Sequence, residues 1–301
     1  MEVSQGLSIL AGQAASRIYK SKTIEVSSPR ETLPPKLGDA WRRATAKTNA
    51  SRIRRLLEIQ AVDPWDIFDS SDIGQERGLI AKKYVNAGGD ILDVGCGRGF
   101  FAFACARVSD RVTAVDLMDG QGRSGWWADF LASARHLGVD SRIQGVRANS
   151  DSLPFRRGTF DTVTTIHSIR NFLNEHQIAY GIREAYRVLR RGGILVVAES
   201  EVGPKRLAAY GAFYSIRIKL GWEIKVPACS SITRWMRVAG FNRITTEKIE
   251  THLDYAPVAF PAAMLPQGSA SVVRDYQAAL KLQKEGRTES PPVMIVTGHK
   301  P

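Results

Sequence analysis

The chain has 301 residues, 44% of them hydrophobic, with 42 Lys and Arg against 30 Asp and Glu and a formal net charge of +12. That length buries one sizeable core with an appendage, or at most two domains, and no run approaches the roughly 18 apolar residues that a membrane span needs. Glu2 and the absence of a basic-then-apolar leader argue against a secretory signal, and the scattered Cys96, Cys105 and Cys229 argue against a disulfide framework or a metal site, so a cytoplasmic protein is expected.

Residues 1–60 hold eleven Lys and Arg against five acids, half of the net excess. SSPRETLPP at 27–35 reads as a linker. A helix is predicted over 40–60, where WRRATAKTNASRIRRLLEI at 41–59 is the densest basic stretch. It fits a solvated helix covering one edge of the following domain, and it also fits contact with an RNA backbone or an anionic membrane surface. The expected organisation is a basic, partly helical extension at 1–60 and a main domain at 61–301. A second helix is predicted from Gly74 to Tyr84.

ILDVGCGRGFFAFACA at 91–106 then gives a buried strand (90–94), a turn with Gly95, Gly97 and Gly99, and a helix (100–107). Glycines let a ligand approach the backbone, and a helix N-terminus presents free N–H groups. Phe100 stands where a dinucleotide fingerprint needs its last glycine, and no GK[ST] ending marks a P-loop. The turn instead carries Asp93 before its first glycine, and Asp116 ends the next strand, VTAVDL. Asp116 can accept from both ribose hydroxyls of an adenosine, whereas Asp93 would repel phosphates. The ligand therefore reads as a nucleoside derivative without phosphates.

Further along, strands are predicted at 112–116, 142–147, 160–166 and 193–199, with helices at 126–137 and 175–189, the latter closed by a Gly-Gly turn. A helix at 231–241 ended by Gly240 and strands at 242–249 and 293–298 follow. This alternation implies a parallel sheet with helices on both faces. Segments 202–229 and 251–291, the second with a helix at 270–284, exceed that plan and read as lid insertions. Tyr210, Phe213, Tyr214 and Trp222 either line an acceptor pocket or pack an added helix on the core.

Four motifs in order, DVGCGRG at 93–99, VTAVDL at 112–117, ANSDSLPF at 148–155 followed by FDTVTTIH at 160–167, and EAYRVLRRGGILVVAE at 184–199, resemble the class I S-adenosylmethionine-dependent methyltransferases. The resemblance implies an α/β fold, a doubly wound seven-stranded mostly parallel Rossmann-like sheet in the order 3-2-1-4-5-7-6, with N-terminal helices and lid insertions. It implies S-adenosyl-L-methionine as cofactor, bound by Asp93, Gly95, Cys96, Gly97, Gly99, Asp116, Leu117, Asn149, Ser150 and Ile166. Asn149 and Ser150 fall where the family meets the adenine; Asn149 stands in place of the commoner aspartate, and its side-chain oxygen can still accept from the adenine amino group. Cys96 also reads as packing within the turn.

FDTVTTIHSIRNF at 160–172 is further similar to the segment ending in GxRN of the ubiquinone/menaquinone-type C-methyltransferases. Arg170 and Asn171 match its RN pair; Ser168 replaces its glycine and His167 an aromatic residue. By this resemblance Arg170 sits at the acceptor and polarises a quinol oxygen. His167, with an unperturbed pKa of about 6.5, is a candidate base, or else it only shapes the pocket wall. Asn174 and Gln177 have capping-box spacing for the next helix. The expected reaction is methylation of a small organic acceptor, a quinol, phenol or related ring, at carbon or oxygen. The alternative is an RNA methyltransferase using the basic N-terminal region, although IHSI at 166–169 is unlike the [DN]PP[YF] loop common in base N-methylation.

Overall fold

A computed structural model describes residues 72–118, 126–200, 224–249, 270–285 and 292–301, together with Trp65, Phe68, Asp69, Gly211, Tyr214, Ile216, Ile218 and Lys219. The predicted helix at 40–60, the linker at 27–35, Tyr210, Phe213 and Trp222 lie outside the described residues. In chain order the elements are α1 (Asp72–Tyr84), β1 (Ile91–Val94), α2 (Phe100–Ala106), β2 (Val112–Val115), α3 (Trp126–His136), β3 (Ile143–Val146), β4 (Phe160–Ile166), a 3-10 turn (Ile169–Asn171), α4 (Glu175–Val188), β5 (Leu189–Ser200), α5 (Cys229–Ala239), β6 (Asn242–Ile249), α6 (Ala270–Lys284) and β7 (Val293–His299).

The seven strands form one sheet in the order β3-β2-β1-β4-β5-β7-β6, as expected. The first five pair in parallel, and β7 inserts antiparallel between β5 and β6. All four residues of β1 are buried, and so are all residues of β4 except Asp161, which is partly buried. Strands covered on both faces read as continuous apolar runs rather than alternating ones. The chain winds from β1 out to β3 and returns beside β1 as β4. This reversal opens a crevice at the carboxyl ends of β1 and β4, where ligands of such sheets bind.

Ile80, Ile91, Phe103 and Phe130 pack on the face covered by α1, α2 and α3, and Leu92, Val163, Ile178, Leu195 and Met236 on the face covered by α4 and α5. Helix α4 buries Ile178, Ile182, Ala185 and Val188 at helical spacing. Asn174 caps its start: the Gln177 N–H donates to the Asn174 side chain at 3.0 Å, and the Gln177 side-chain oxygen accepts from the N–H of Leu173, just before the cap, at 2.7 Å. Helix α5 ends at Gly240, as expected, with φ +104. No helix among the described residues is long and apolar enough to cross a membrane.

One expectation is corrected. Helix α4 is not closed by the Gly192-Gly193 turn; it stops at Val188, and β5 runs from Leu189 through both glycines. Gly192 and Gly193 pair with the backbone of Lys300 at 2.8 and 2.9 Å, while the Lys300 ammonium donates to the Tyr186 and Leu189 carbonyls at 2.8 and 2.7 Å. A lysine from the far end of the chain thus satisfies carbonyls that a helix C-terminus leaves open.

Candidate active site

The turn after β1 is tied to β2: the Gly95 and Cys96 N–H groups both donate to the Val115 carbonyl, at 2.7 and 3.0 Å. Gly95 has φ +74, and a Cβ built on it would lie 1.7 Å from the Ser168 Oγ. At Gly99, φ +90, a Cβ would lie 2.4 Å from the Phe130 ring. Both positions therefore require glycine on two counts, backbone conformation and space. Asp116 braces the same turn, accepting from the Gly97 N–H at 2.8 Å and the Met118 N–H at 2.7 Å, one on each carboxylate oxygen. A carboxylate has about four acceptor sites, so it retains capacity for two further hydroxyls.

Asp93 is 1% exposed. The Thr164 hydroxyl donates to its Oδ1 at 3.0 Å, while Oδ2 has no hydrogen-bond partner among the described residues. Burial pushes its pKa up to about 7; the Thr164 bond and the Arg77 charge pull it down, and Asp116 pushes it up. An orphaned carboxylate oxygen beside a turn of bare backbone suits a cationic ligand, because positive charge repays the desolvation that burial imposes. These residues fit S-adenosylmethionine. When bound, that donor supplies an electrophilic methyl on a sulfonium.

Cys96 is buried, and burial with the Asp93 and Asp116 charges pushes its thiol well up, so it stays protonated. Leu117 is exposed beside Asp116. Ile166 is buried at the end of β4. Asn149 and Ser150 lie in the loop before β4; the Asn149 side-chain oxygen accepts from the Gln177 amide at 2.9 Å, and Ser150 is buried against Gly181 of α4.

Past β4 the chain turns sharply. His167 has φ +51, an uncommon conformation for a non-glycine residue, and its N–H donates to the Ala198 carbonyl at 2.7 Å. Its Nε2 lies 2.7 Å from Glu76 Oε1; its Nδ1 lies 3.0 Å from Arg170 Nη2 and 3.2 Å from Ser200 Oγ. Arg170 is 3% exposed and bonds Glu199 through Nε at 2.9 Å and through Nη2. Burial, with the Arg77 and Arg170 charges, holds the His167 pKa well below its usual range, so the imidazole is neutral. The Tyr214 ring lies 5.1 Å from the Arg170 guanidinium carbon, and its hydroxyl donates to the Ile224 carbonyl at 2.8 Å. The Ile224 N–H in turn donates to the Arg170 carbonyl at 2.7 Å, so Tyr214 and Ile224 of the 202–229 segment both contact Arg170.

Glu76, Arg77, Thr164, Glu199 and Ser200 are thus site residues that sequence reasoning missed. Glu199 had a signal, an acid closing the apolar run ILVVAES, and so had Thr164, a hydroxyl inside a buried strand. Glu76 had none: in DIGQERG it reads like any solvated helical acid.

Residues 92–197 match the family described as methyltransferase domain. The chain is similar to a demethylmenaquinone methyltransferase of Clavibacter sepedonicus, 28% identical over 208 residues, covering 61% of this chain and 80% of that protein. It is also similar to ubiquinone/menaquinone biosynthesis C-methyltransferases of Agrobacterium fabrum and Sinorhizobium fredii, 32% and 38% identical, each match covering 52% of this chain and 65% of the relative. The chain thus spans just under two thirds of the length of these last two. Among solved structures it resembles the cyclase SpnF, with a TM-score of 0.52 and 24% identity over 77% of this chain and 82% of that one. It also resembles a geranyl diphosphate methyltransferase in complex with S-adenosylmethionine, with a TM-score of 0.51 and 17% identity over 85% and 92% of the two chains. At such identities the structures speak for the fold alone. None of these relatives is named for a nucleic-acid substrate, so nothing here favours the RNA alternative. Strand order and matched domain agree: residues 92–197 carry a methyltransferase domain, set on the sheet order of the class I S-adenosylmethionine-dependent fold.

Proposed function

We propose that this enzyme methylates a small organic acceptor carrying a ring hydroxyl, a quinol or phenol, at carbon or oxygen. The observation that carries the reading is the contact of Ser168 with Gly95, which seats the segment from His167 to Arg170 against the donor-binding turn. Transfer from a sulfonium is an in-line displacement, so most of the enzyme's task is to hold the acceptor atom about 3 Å from the methyl in the right direction. In this reading Asp93, the glycine turn, Asp116, Leu117, Asn149, Ser150 and Ile166 hold the donor. Arg170 is a fixed, buried guanidinium that polarises an acceptor oxygen. His167, bonded at both ring nitrogens, shapes the wall and steadies Arg170 instead of collecting the proton.

The names of the quinone-methylating relatives support the acceptor class. The three free cysteines suit work in the cytoplasm, where thiols stay reduced. The test is incubation of the full chain with donor and a panel of hydroquinones and phenols, read by mass spectrometry as the gain of one methyl. Arg170→Lys and His167→Gln are expected to slow turnover while leaving donor affinity within a few-fold. Methyl gain on bulk RNA but on no ring compound overturns the proposal.

A further inference from the structure

Buried Glu76, Arg170, Glu199 and Ser200 and partly buried Arg77 and His167 form one cluster that joins α1 to the ends of β4 and β5. Two of its contacts settle where the imidazole proton sits. A guanidinium only donates hydrogen bonds, so the 3.0 Å approach of Arg170 Nη2 makes Nδ1 of His167 the acceptor. An ionised carboxylate only accepts, so the 2.7 Å approach of Glu76 makes Nε2 the donor. A proton on Nδ1 would set two donors against each other.

We propose that Glu76 is a positioning residue that holds His167 as the Nε2–H tautomer, leaving Nδ1 as an acceptor that aligns the Arg170 guanidinium. Arg77 pairs with Glu76 and Arg170 with Glu199, and burial together with the two guanidinium charges disfavours a protonated imidazole. Arg170 is thereby held from two sides: Glu199 grips Nε and Nη2, and His167, itself fixed from α1, accepts from the outer edge of Nη2. This inference rests on the proposed acceptor role of Arg170 only for its effect on turnover; the tautomer follows from the contacts alone.

The experiment is nitrogen NMR of the full chain labelled with 15N-histidine, with the His167 signals assigned by their loss in His167→Gln. Near neutral pH the wild type is expected to show a protonated Nε2 and an unprotonated Nδ1. Glu76→Gln, whose amide oxygen still accepts, is expected to keep that pattern. Glu76→Leu, which leaves Nε2–H without its acceptor while Arg170 still donates to Nδ1, is expected to mix the two tautomers, with turnover falling roughly ten- to a hundredfold and donor affinity unchanged, as for a group that acts through another. Glu76→Asp, which keeps the charge but is one methylene short, serves if Glu76→Leu fails to fold, and it is expected to weaken the pattern. A wild-type His167 protonated at Nδ1, or a pattern untouched in both Glu76→Leu and Glu76→Asp, overturns the inference. The predicted tautomer together with full activity in Arg170→Lys and His167→Gln upholds it and instead defeats the acceptor reading.

Discussion

Ser168 fills the space that a side chain on Gly95 would need: its hydroxyl lies 1.7 Å from the Cβ position of a residue 73 places earlier. Donor turn and acceptor segment are therefore packed against each other as one unit, and the glycine that the resemblance leads one to expect at 168 is replaced by the residue that seals the contact.

Gly95→Ala is expected to destabilise the fold by about 2–4 kcal/mol, combining left-handed backbone strain with a steric clash. Adding Ser168→Gly removes the clash and not the strain, so the double variant is expected to recover part of the loss. Urea unfolding of the four proteins in the cycle measures the coupling; strict additivity would show that the two residues do not touch.

Asp93 links donor binding to pH. Its native pKa, about 7, lies above that of the unfolded chain, so the native state keeps a proton the unfolded chain releases. Stability is accordingly expected to fall as pH rises from the ordinary carboxylate range to about 7 and to level off above it. Donor affinity is expected to move the opposite way, rising up to about tenfold per pH unit below 7, because a cation prefers the carboxylate. Denaturation and calorimetry from about pH 5 to 8 check both trends, and Asp93→Asn is expected to flatten them.

Asp116 braces two loops as well as offering acceptors to a ribose. Asp116→Ala is expected to weaken donor binding by at least tenfold in calorimetry. It is also expected to lower stability by about 1.5–3 kcal/mol, since two backbone N–H groups lose a charged partner. Asp116→Asn keeps one side-chain oxygen and is expected to fall between.

The Arg170–Glu199 pair is buried, so breaking it from one side leaves a charge without compensation. Glu199→Ala is expected to cost about 3–5 kcal/mol. Replacing both, Arg170→Met with Glu199→Leu, is expected to cost less in stability while abolishing turnover. Chemical denaturation with parallel activity assays separates the two effects.

Lys300 is buried, with its ammonium set on carbonyls at the end of α4. Lys300→Met keeps the stem and removes the charge, and it is expected to lower stability by about 1.5–3 kcal/mol with donor affinity unchanged. A lowered melting temperature at constant calorimetric affinity is the expected pair of readings.

The amino-acid sequence by itself determined the alternation of strands and helices, the glycine turn, and the acids at the ends of β1 and β2. Each of these is written in a short window: an apolar run bounded by turn residues says strand, and Gly95, Gly97 and Gly99 at alternate positions say bare backbone. The capping of α4 by Asn174 and Gln177 was equally local. Tertiary structure alone decided which side chains meet: Glu76 with His167 across 91 residues, Arg170 with Glu199 across 29, and Lys300 with Leu189 across 111. Periodicity reports that a face is buried without naming what buries it. The partners of a buried charge are set only when the sheet order brings β1, β4, β5 and α1 to one end of the fold, where desolvation makes each unpaired charge costly and so selects the arrangement that pairs them.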